Sequence, residues 1–419
     1  MRVLILDTSG KEGIALGGAS IVAANLFNEL GKRGIETYYL GYSNGRIGKS
    51  PRAFVLRGGR AQATARRMAR SGALNDLAES KFARVMYYIA HSAFGVALGS
   101  AAGWVEQVKP DVVIASSIQD YVALKKLRRR LRGAKLVYIE HANASGNYKG
   151  ALDYNIIGLT FGTGGYAGLE GARQRFFSFF DSIIALNTEQ YRNISRYNRD
   201  VVIIHSAANI ALKRPSAAQV AAARRSAGVR PRDRIVMYLG RLQDEQKNVS
   251  ALILAVKAIR SDSMKLLVIG NGKSESMYKD MSKGDQRIRI IPGGMTDLEV
   301  AAYYSIADLY VLPSLWESFN ATIIEAAHFG TGLLLSSKAV NEDMKNRFGR
   351  ALYTFEPGDV SELKRKIERY FSDGALRARL RRLSSEIDRE YGRKRQMDAY
   401  ADALERLYRT GRISGQSTS

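Results

Sequence analysis

Short apolar, β-branched runs recur along the chain with helix-prone stretches between them. In the first half these runs are RVLILD, TYYLG, DVVIAS, KLVYIEH, SIIALN and VVIIH. A polar, helix-prone connector follows, NIALKRPSAAQVAAARRSAGVRPRDR, and the rhythm restarts with RIVMYLG, KLLVIG, IRIIPG, DLYVLP and GLLLSS. Strands alternating with helices predict parallel sheets, and the restart predicts two of them. The expected fold class is α/β, with two tandem Rossmann-like doubly wound domains joined near residues 206–232. Their expected bounds are 1–208 and 209–394, with a C-terminal helix over 395–419 packing back onto the first. A length of 419 residues is too great for one ordinary core and agrees with two.

Doubly wound sheets bind ligands beyond the carboxyl ends of their strands, so the residues after each run are the candidates for chemistry. In IALGGASIVAANLFNEL, Gly17 and Gly18 open a helix whose apolar positions Val22, Leu26 and Leu30 share a face. A glycine loop at a helix start can approach phosphate closely and offers it free amides; two glycines are also an ordinary turn. The segment GNGKS at 270–274 is not a phosphate-binding P-loop, because the glycine that motif requires is Leu267. A better phosphate candidate is YLGRLQDEQKN, where a strand ends at Gly240 and the cations Arg241 and Lys247 follow. Two fixed cations at a strand end can clamp a diphosphate and neutralise it as it leaves.

The stretch ESFNATIIE lies between a strand, DLYVLP, and a helix that Gly330 stops. Asn320 suits the N-cap. Helical side chains lean toward the N-terminus, so Glu325 is expected to point back toward the loop holding Glu317. Carboxylates repel phosphate but accept hydrogen bonds from hydroxyls, and amides at Ser318, Phe319, Asn320 and Ala321 would lie between them. Phosphate flanked by polyols is a nucleotide sugar; the simpler alternative is an electrostatic helix cap. In KLVYIEHANASGN, Glu140 and His141 end a strand, and His141 is placed to bond a sugar hydroxyl or steady charge. His205 and His328 read as structural.

Composition narrows this picture. With no cysteine, disulfide frameworks and thiolate metal sites are excluded. The opening MRVLILD meets Asp7 too early for a signal peptide, so the expected setting is cytoplasmic. Residues 85–105 carry no formal charge and are long enough to span a bilayer, but their Ala, Gly and Ser content and His91 favour a buried or membrane-grazing helix. A net charge of +24 raises nucleic acid as a partner. The cations cluster at Arg52–Arg70, Lys125–Arg132 and Lys364–Arg395 without a nucleic-acid module, so none is expected, and a peripheral position on an anionic inner membrane face fits the same clusters.

Taken together, the residues GGAS (17–20), EH (140–141), GRLQDEQKN (240–248), GNG (270–272) and PSLWESFNATIIEAAHFG (313–330) resemble the retaining glycosyltransferases of the GT-B fold, most closely family four. The E-x7-E spacing of Glu317 and Glu325 is the most specific part. The resemblance implies donor binding chiefly by the second domain, acceptor binding by the first, and reaction in the cleft. It gives Arg241 and Lys247 to the diphosphate, Glu317 and nearby amides to the transferred sugar, Glu325 to the ribose, Gly18 to the donor phosphates and His141 to the transferred sugar. Absence of Asp-x-Asp agrees with transfer that needs no metal or other cofactor. Ser318 and Asn320 stand where the family often has glycine, and HSAANI matches the usual interdomain turn loosely. The expected partners are a nucleotide-sugar donor, with UDP ahead of GDP, and a glycan or lipid-linked acceptor. The alternatives are a non-catalytic GT-B partner subunit, a basic nucleic-acid binder, or a phosphorylase or epimerase on the same fold.

Overall fold

The computed structural model describes residues 1–8, 18–42, 47, 50–56, 99–141, 168–208, 213–317 and 320–414. The chain divides into two compact units, Met1–Ile204 with Met397–Ser419, and His205–Gln396. The chain therefore leaves the first unit at Ile204–His205 and returns to it at Gln396–Met397. The connector helix Ala217–Ala227 is part of the second unit, where Ser226 receives a hydrogen bond from Tyr303 at 3.3 Å.

The first unit is built on β1 (Arg2–Asp7), β2 (Glu36–Tyr42), β3 (Ala53–Leu56), β4 (Val112–Ala115), β5 (Lys135–Ile139), β6 (Ser182–Ala185) and β7 (Val201–Ile203). They form one parallel sheet in the order β3-β2-β1-β4-β5-β6-β7, with Ile5 opposite both Tyr39 and Ile114. Successive side chains of a strand face opposite ways, and both faces here are dry. Leu4 and Leu6 pack toward Val105, Leu124 and Phe176. Val3 and Ile5 pack toward Val22, Leu26 and Leu30, which do share the buried face of the helix Gly18–Leu30. The helix Arg393–Thr410 covers that same side through Met397, Tyr400, Leu404 and Leu407. Its end is fastened by Asp200, whose carboxylate accepts the amides of Ile413 at 2.7 Å and Ser414 at 2.8 Å.

The uncharged stretch 85–105 lies outside the described residues up to 98. Its end forms the helix Gly99–Val108, whose Ala101 and Val105 are buried in the core. Among the described residues, no helix is long and apolar enough to cross a membrane.

The second unit holds β8 (Arg234–Leu239), β9 (Met264–Gly270), β10 (Ile288–Pro292), β11 (Leu309–Leu312), β12 (Gly332–Ser336) and β13 (Thr354–Phe355), parallel in the order β10-β9-β8-β11-β12-β13. Strands β3 and β13 are absent from the sequence expectation. Both are sheet edges, four and two residues long, and neither is a sustained apolar run.

Candidate functional site

In the second sheet the strand order reverses at β8 and β11: β9 and β10 lie beyond one edge of this pair, β12 and β13 beyond the other. Loops leaving two such strands diverge and open a crevice, which is where open parallel sheets take their ligands. The residues after β8 and β11 are the two motifs singled out above.

After β8, the chain stays paired with the loop that follows β9. Leu242 N donates to Asn271 O at 3.0 Å, and Ser274 N to Leu242 O at 3.0 Å. The strands' last glycines make this close approach possible: a Cβ on Gly270 would sit 1.8 Å from Gly240 O, and one on Gly272 2.1 Å from Leu242 O. Arg241 thus leaves a tightly braced backbone. Its guanidinium is exposed, reaches Gln243 at 3.5 Å, and makes no ion pair among the described residues.

The short helix Asp244–Lys247 follows. Asp244 fixes it by accepting from Tyr278 Oη at 2.8 Å and Ser250 N at 2.9 Å. Three bonds then stitch it to the loop after β11: Leu315 N to Gln246 O (2.8 Å), Gln246 Nε2 to Trp316 O (3.3 Å) and Asn248 Nδ2 to Pro313 O (3.4 Å). The result faces Lys247 with Glu317. They form an ion pair, with side chains only 9% and 7% exposed. The cation expected at phosphate and the carboxylate expected at sugar are therefore each other's partner. A buried ammonium without a counter-charge would be costly, and Glu317 supplies it.

Ser318 and Phe319 lie outside the described residues, as does Gly17. Asn320 caps the helix Ala321–His328, and its Oδ1 accepts from Thr322 N at 3.0 Å and Thr322 Oγ1 at 2.6 Å. The Thr322 amide is therefore occupied by the cap. Glu325 is 2% exposed and accepts from Tyr304 Oη at 2.9 Å, on the helix Asp297–Ile306. Its carboxylate is thus held by a tyrosine of a neighbouring helix.

Three buried tyrosines, Tyr238, Tyr304 and Tyr310, were missed by the sequence reading. Tyr238 Oη donates to Arg241 O at 2.8 Å, and Tyr310 Oη bonds Leu239 O at 3.2 Å and also Thr322 Oγ1 at 2.5 Å. Burial foremost, with the Glu325 charge next, pushes the Tyr304 phenol well above its ordinary value. Burial does the same to Tyr310. Both stay protonated at neutral pH. The available signal was a tyrosine inside the aliphatic runs RIVMYL and LYVL for Tyr238 and Tyr310, and inside the helical DLEVAAYYSI for Tyr304.

In the first sheet the order reverses at β1 and β4. Asp120 accepts from Thr8 N at 2.8 Å and from Ser116 N and Ser117 N at 3.0 Å each. Asp7 accepts from Ser20 Oγ at 2.7 Å, tying β1 to the helix that Gly18 opens. Both carboxylates are thus engaged with their own framework. His141 follows β5; its Nε2 has no hydrogen-bond partner among the described residues, and burial pushes the imidazole down to about 4.

That depressed value has a sign. The unfolded imidazole binds a proton below about 6.5, the folded one only below about 4, so stability contributed by a neutral His141 is lost as pH falls through this window. Unfolding free energy should decline there by up to ~1.4 kcal/mol per pH unit more than in His141→Gln. Urea melts of both chains from pH 7 to 4 check this; parallel curves would remove His141 as the cause. His205 and His328 are tied into the second unit, His328 Nδ1 lying 3.1 Å from Asp388 and His205 O accepting from Gln396 at 3.0 Å.

Solved structures share this architecture. A sucrose-phosphate synthase of Thermosynechococcus elongatus aligns over 97% of this chain and 98% of its own, at 17% identity and a TM-score of 0.66. The Anabaena protein HepE, solved in complex with UDP and glucose, aligns over 97% and 100% at 15% identity and a TM-score of 0.67. The chain shares the GT-B fold. Residues 219–386, within the second unit, match the model of glycosyl transferases group 1. Among curated relatives, the phosphatidyl-myo-inositol mannosyltransferase of Mycobacterium leprae is 27% identical over 183 residues, 43% of this chain. The match spans about half that relative's length, 47%.

Proposed function

We propose that this protein transfers a hexose-type sugar from a nucleotide-sugar donor, UDP-linked ahead of GDP-linked, to a glycan, lipid-linked or cell-wall acceptor, with retention of configuration. The observation that carries the reading is the buried Lys247–Glu317 pair, with the exposed Arg241, which makes no ion pair among the described residues, at the strand-order reversal of the second sheet. An apolar pair would stabilise the same position as well or better, so this pair is best accounted for by chemistry. An arriving diphosphate offers Lys247 a stronger counter-charge than one carboxylate. Lys247 then turns to phosphate and Glu317 is released to accept hydroxyls of the sugar. Arg241 closes on the diphosphate from the exposed side, and the two cations stabilise it as the glycosidic bond to phosphate breaks. Charge compensation by side chains is why we expect transfer without a divalent ion. Glu325 takes the ribose hydroxyls. The first unit takes the acceptor side and supplies His141 to the transferred sugar.

The named activity of the Mycobacterium leprae relative and the UDP and glucose bound to HepE support this substrate class. Exposed Lys125, Lys126, Arg128 and Arg129, at the end of the helix Ile118–Leu127, support contact with an anionic membrane face. The test is a thermal-shift screen against a panel of nucleotide sugars, followed by donor-dependent release of UDP or GDP and NMR of the product anomer. Stabilisation by one base series with release of its diphosphate is expected. No stabilisation by any nucleotide or nucleotide sugar would overturn the reading.

A further inference from the structure

Glu325 is 2% exposed, and a carboxylate so buried has little freedom once its bonds are set. The group beneath it is Tyr304, fully buried, donating at 2.9 Å to Glu325 Oε2. Tyr304 is itself immobilised: its ring stacks on Phe329 at 5.8 Å between centroids and 4° between planes, and it lies 6.1 Å from the ring of Tyr310. Tyr304 O also accepts from Thr331 Oγ1 at 3.3 Å. The Tyr304 ring, packed against two aromatic rings and aimed at one carboxylate oxygen, constrains how the Glu325 carboxylate is turned.

We infer that Tyr304 is a positioning residue for nucleoside recognition, fixing the rotamer of Glu325 so that its carboxylate presents acceptors to a vicinal diol. Tyr310 is not equivalent. Its hydroxyl bonds Thr322 Oγ1 and Leu239 O, so it supports the helix cap and the loop toward Arg241. The two tyrosines thus serve different ligand parts: Tyr304 the nucleoside through Glu325, Tyr310 the phosphate side. This inference rests on the proposed donor site.

The experiment is calorimetric titration of UDP, GDP and inorganic pyrophosphate into wild type, Tyr304→Phe, Glu325→Gln and the double variant. Phenylalanine keeps the stacked ring and removes only the donor. Losing a hydrogen bond to a charged group should raise the Kd of the nucleoside diphosphate about 10-fold in Tyr304→Phe and leave that of pyrophosphate within about twofold. The double variant should bind no worse than Glu325→Gln, because the hydroxyl acts through that carboxylate. In turnover, the donor KM should rise far more than kcat falls. Weakened binding in Glu325→Gln with wild-type binding in Tyr304→Phe would overturn the inference and leave the donor site intact. So would equal losses for pyrophosphate and nucleotide, which would mark a general structural role. Unchanged binding in Glu325→Gln would instead overturn the donor-site reading. If Tyr304→Phe alone fails to fold, recovery of folding in the double variant supports the pairing, and failure there too overturns it.

Discussion

Lys247→Ala should lose donor-dependent diphosphate release by about 10²- to 10³-fold and should also melt at a markedly lower temperature. The two effects have separate causes. Activity is lost because a fixed positive charge no longer meets the leaving diphosphate. Stability is lost because Glu317, its side chain 7% exposed, keeps its charge without a partner. Removing one member of a buried pair typically costs about 3–5 kcal/mol, whereas neutralising both costs far less. Lys247→Met/Glu317→Gln should therefore regain most of the melting temperature and none of the activity. Recovery of turnover in that double variant would show that the pair is structural and that the diphosphate is held elsewhere.

The second large effect belongs to a residue that touches no ligand. Gly270 has a φ of +152°, and a Cβ there would lie 1.8 Å from the carbonyl oxygen of Gly240. Nothing flexible can yield, since the obstacle is backbone, so the loop carrying Arg241 must move. Gly270→Ala should cost more than about 3 kcal/mol and abolish nucleotide binding in whatever fraction remains folded. Gly284→Ala is the control: its φ is +80°, with no heavy atom within 4 Å of the added Cβ. Only the left-handed penalty of about 1–2 kcal/mol should appear there. Urea melts of the three proteins compare them directly, and equal losses would mean that the close approach of the two loops is not what this glycine serves.

These contrasts show what the sequence could and could not carry. The continuous apolar runs marked most strands, because a strand dry on both faces has no polar alternation to hide it. The four-residue edge β3 and the two-residue β13 give too few positions for any pattern. Arg241, Lys247 and Asn320 could be singled out as candidates because each follows a strand run or opens a helix, and the cap at Asn320 formed as its chemistry required. The pairing of Lys247 with Glu317 was not: the residues are 70 positions apart, and only the adjacency of β8 and β11 brings their loops together. Tyr238, Tyr304 and Tyr310 were invisible for another reason. In an apolar run a buried tyrosine looks like any core aromatic, and its hydroxyl acquires meaning only from the carbonyl or carboxylate above it. The family-like spacing of Glu317 and Glu325 likewise gave no sign that one would be paired with a cation and the other held by a phenol.

The most direct measurement is calorimetric titration of UDP- and GDP-sugars into wild type and Arg241→Ala at two salt concentrations. Arg241 is exposed and makes no ion pair among the described residues, so its loss should leave the fold alone. The account predicts saturable binding of one nucleotide series by wild type, a Kd at least about 10-fold higher in Arg241→Ala, and a weaker salt dependence in the variant. Identical affinity and salt dependence in the two proteins would contradict a diphosphate site at the reversal of the second sheet.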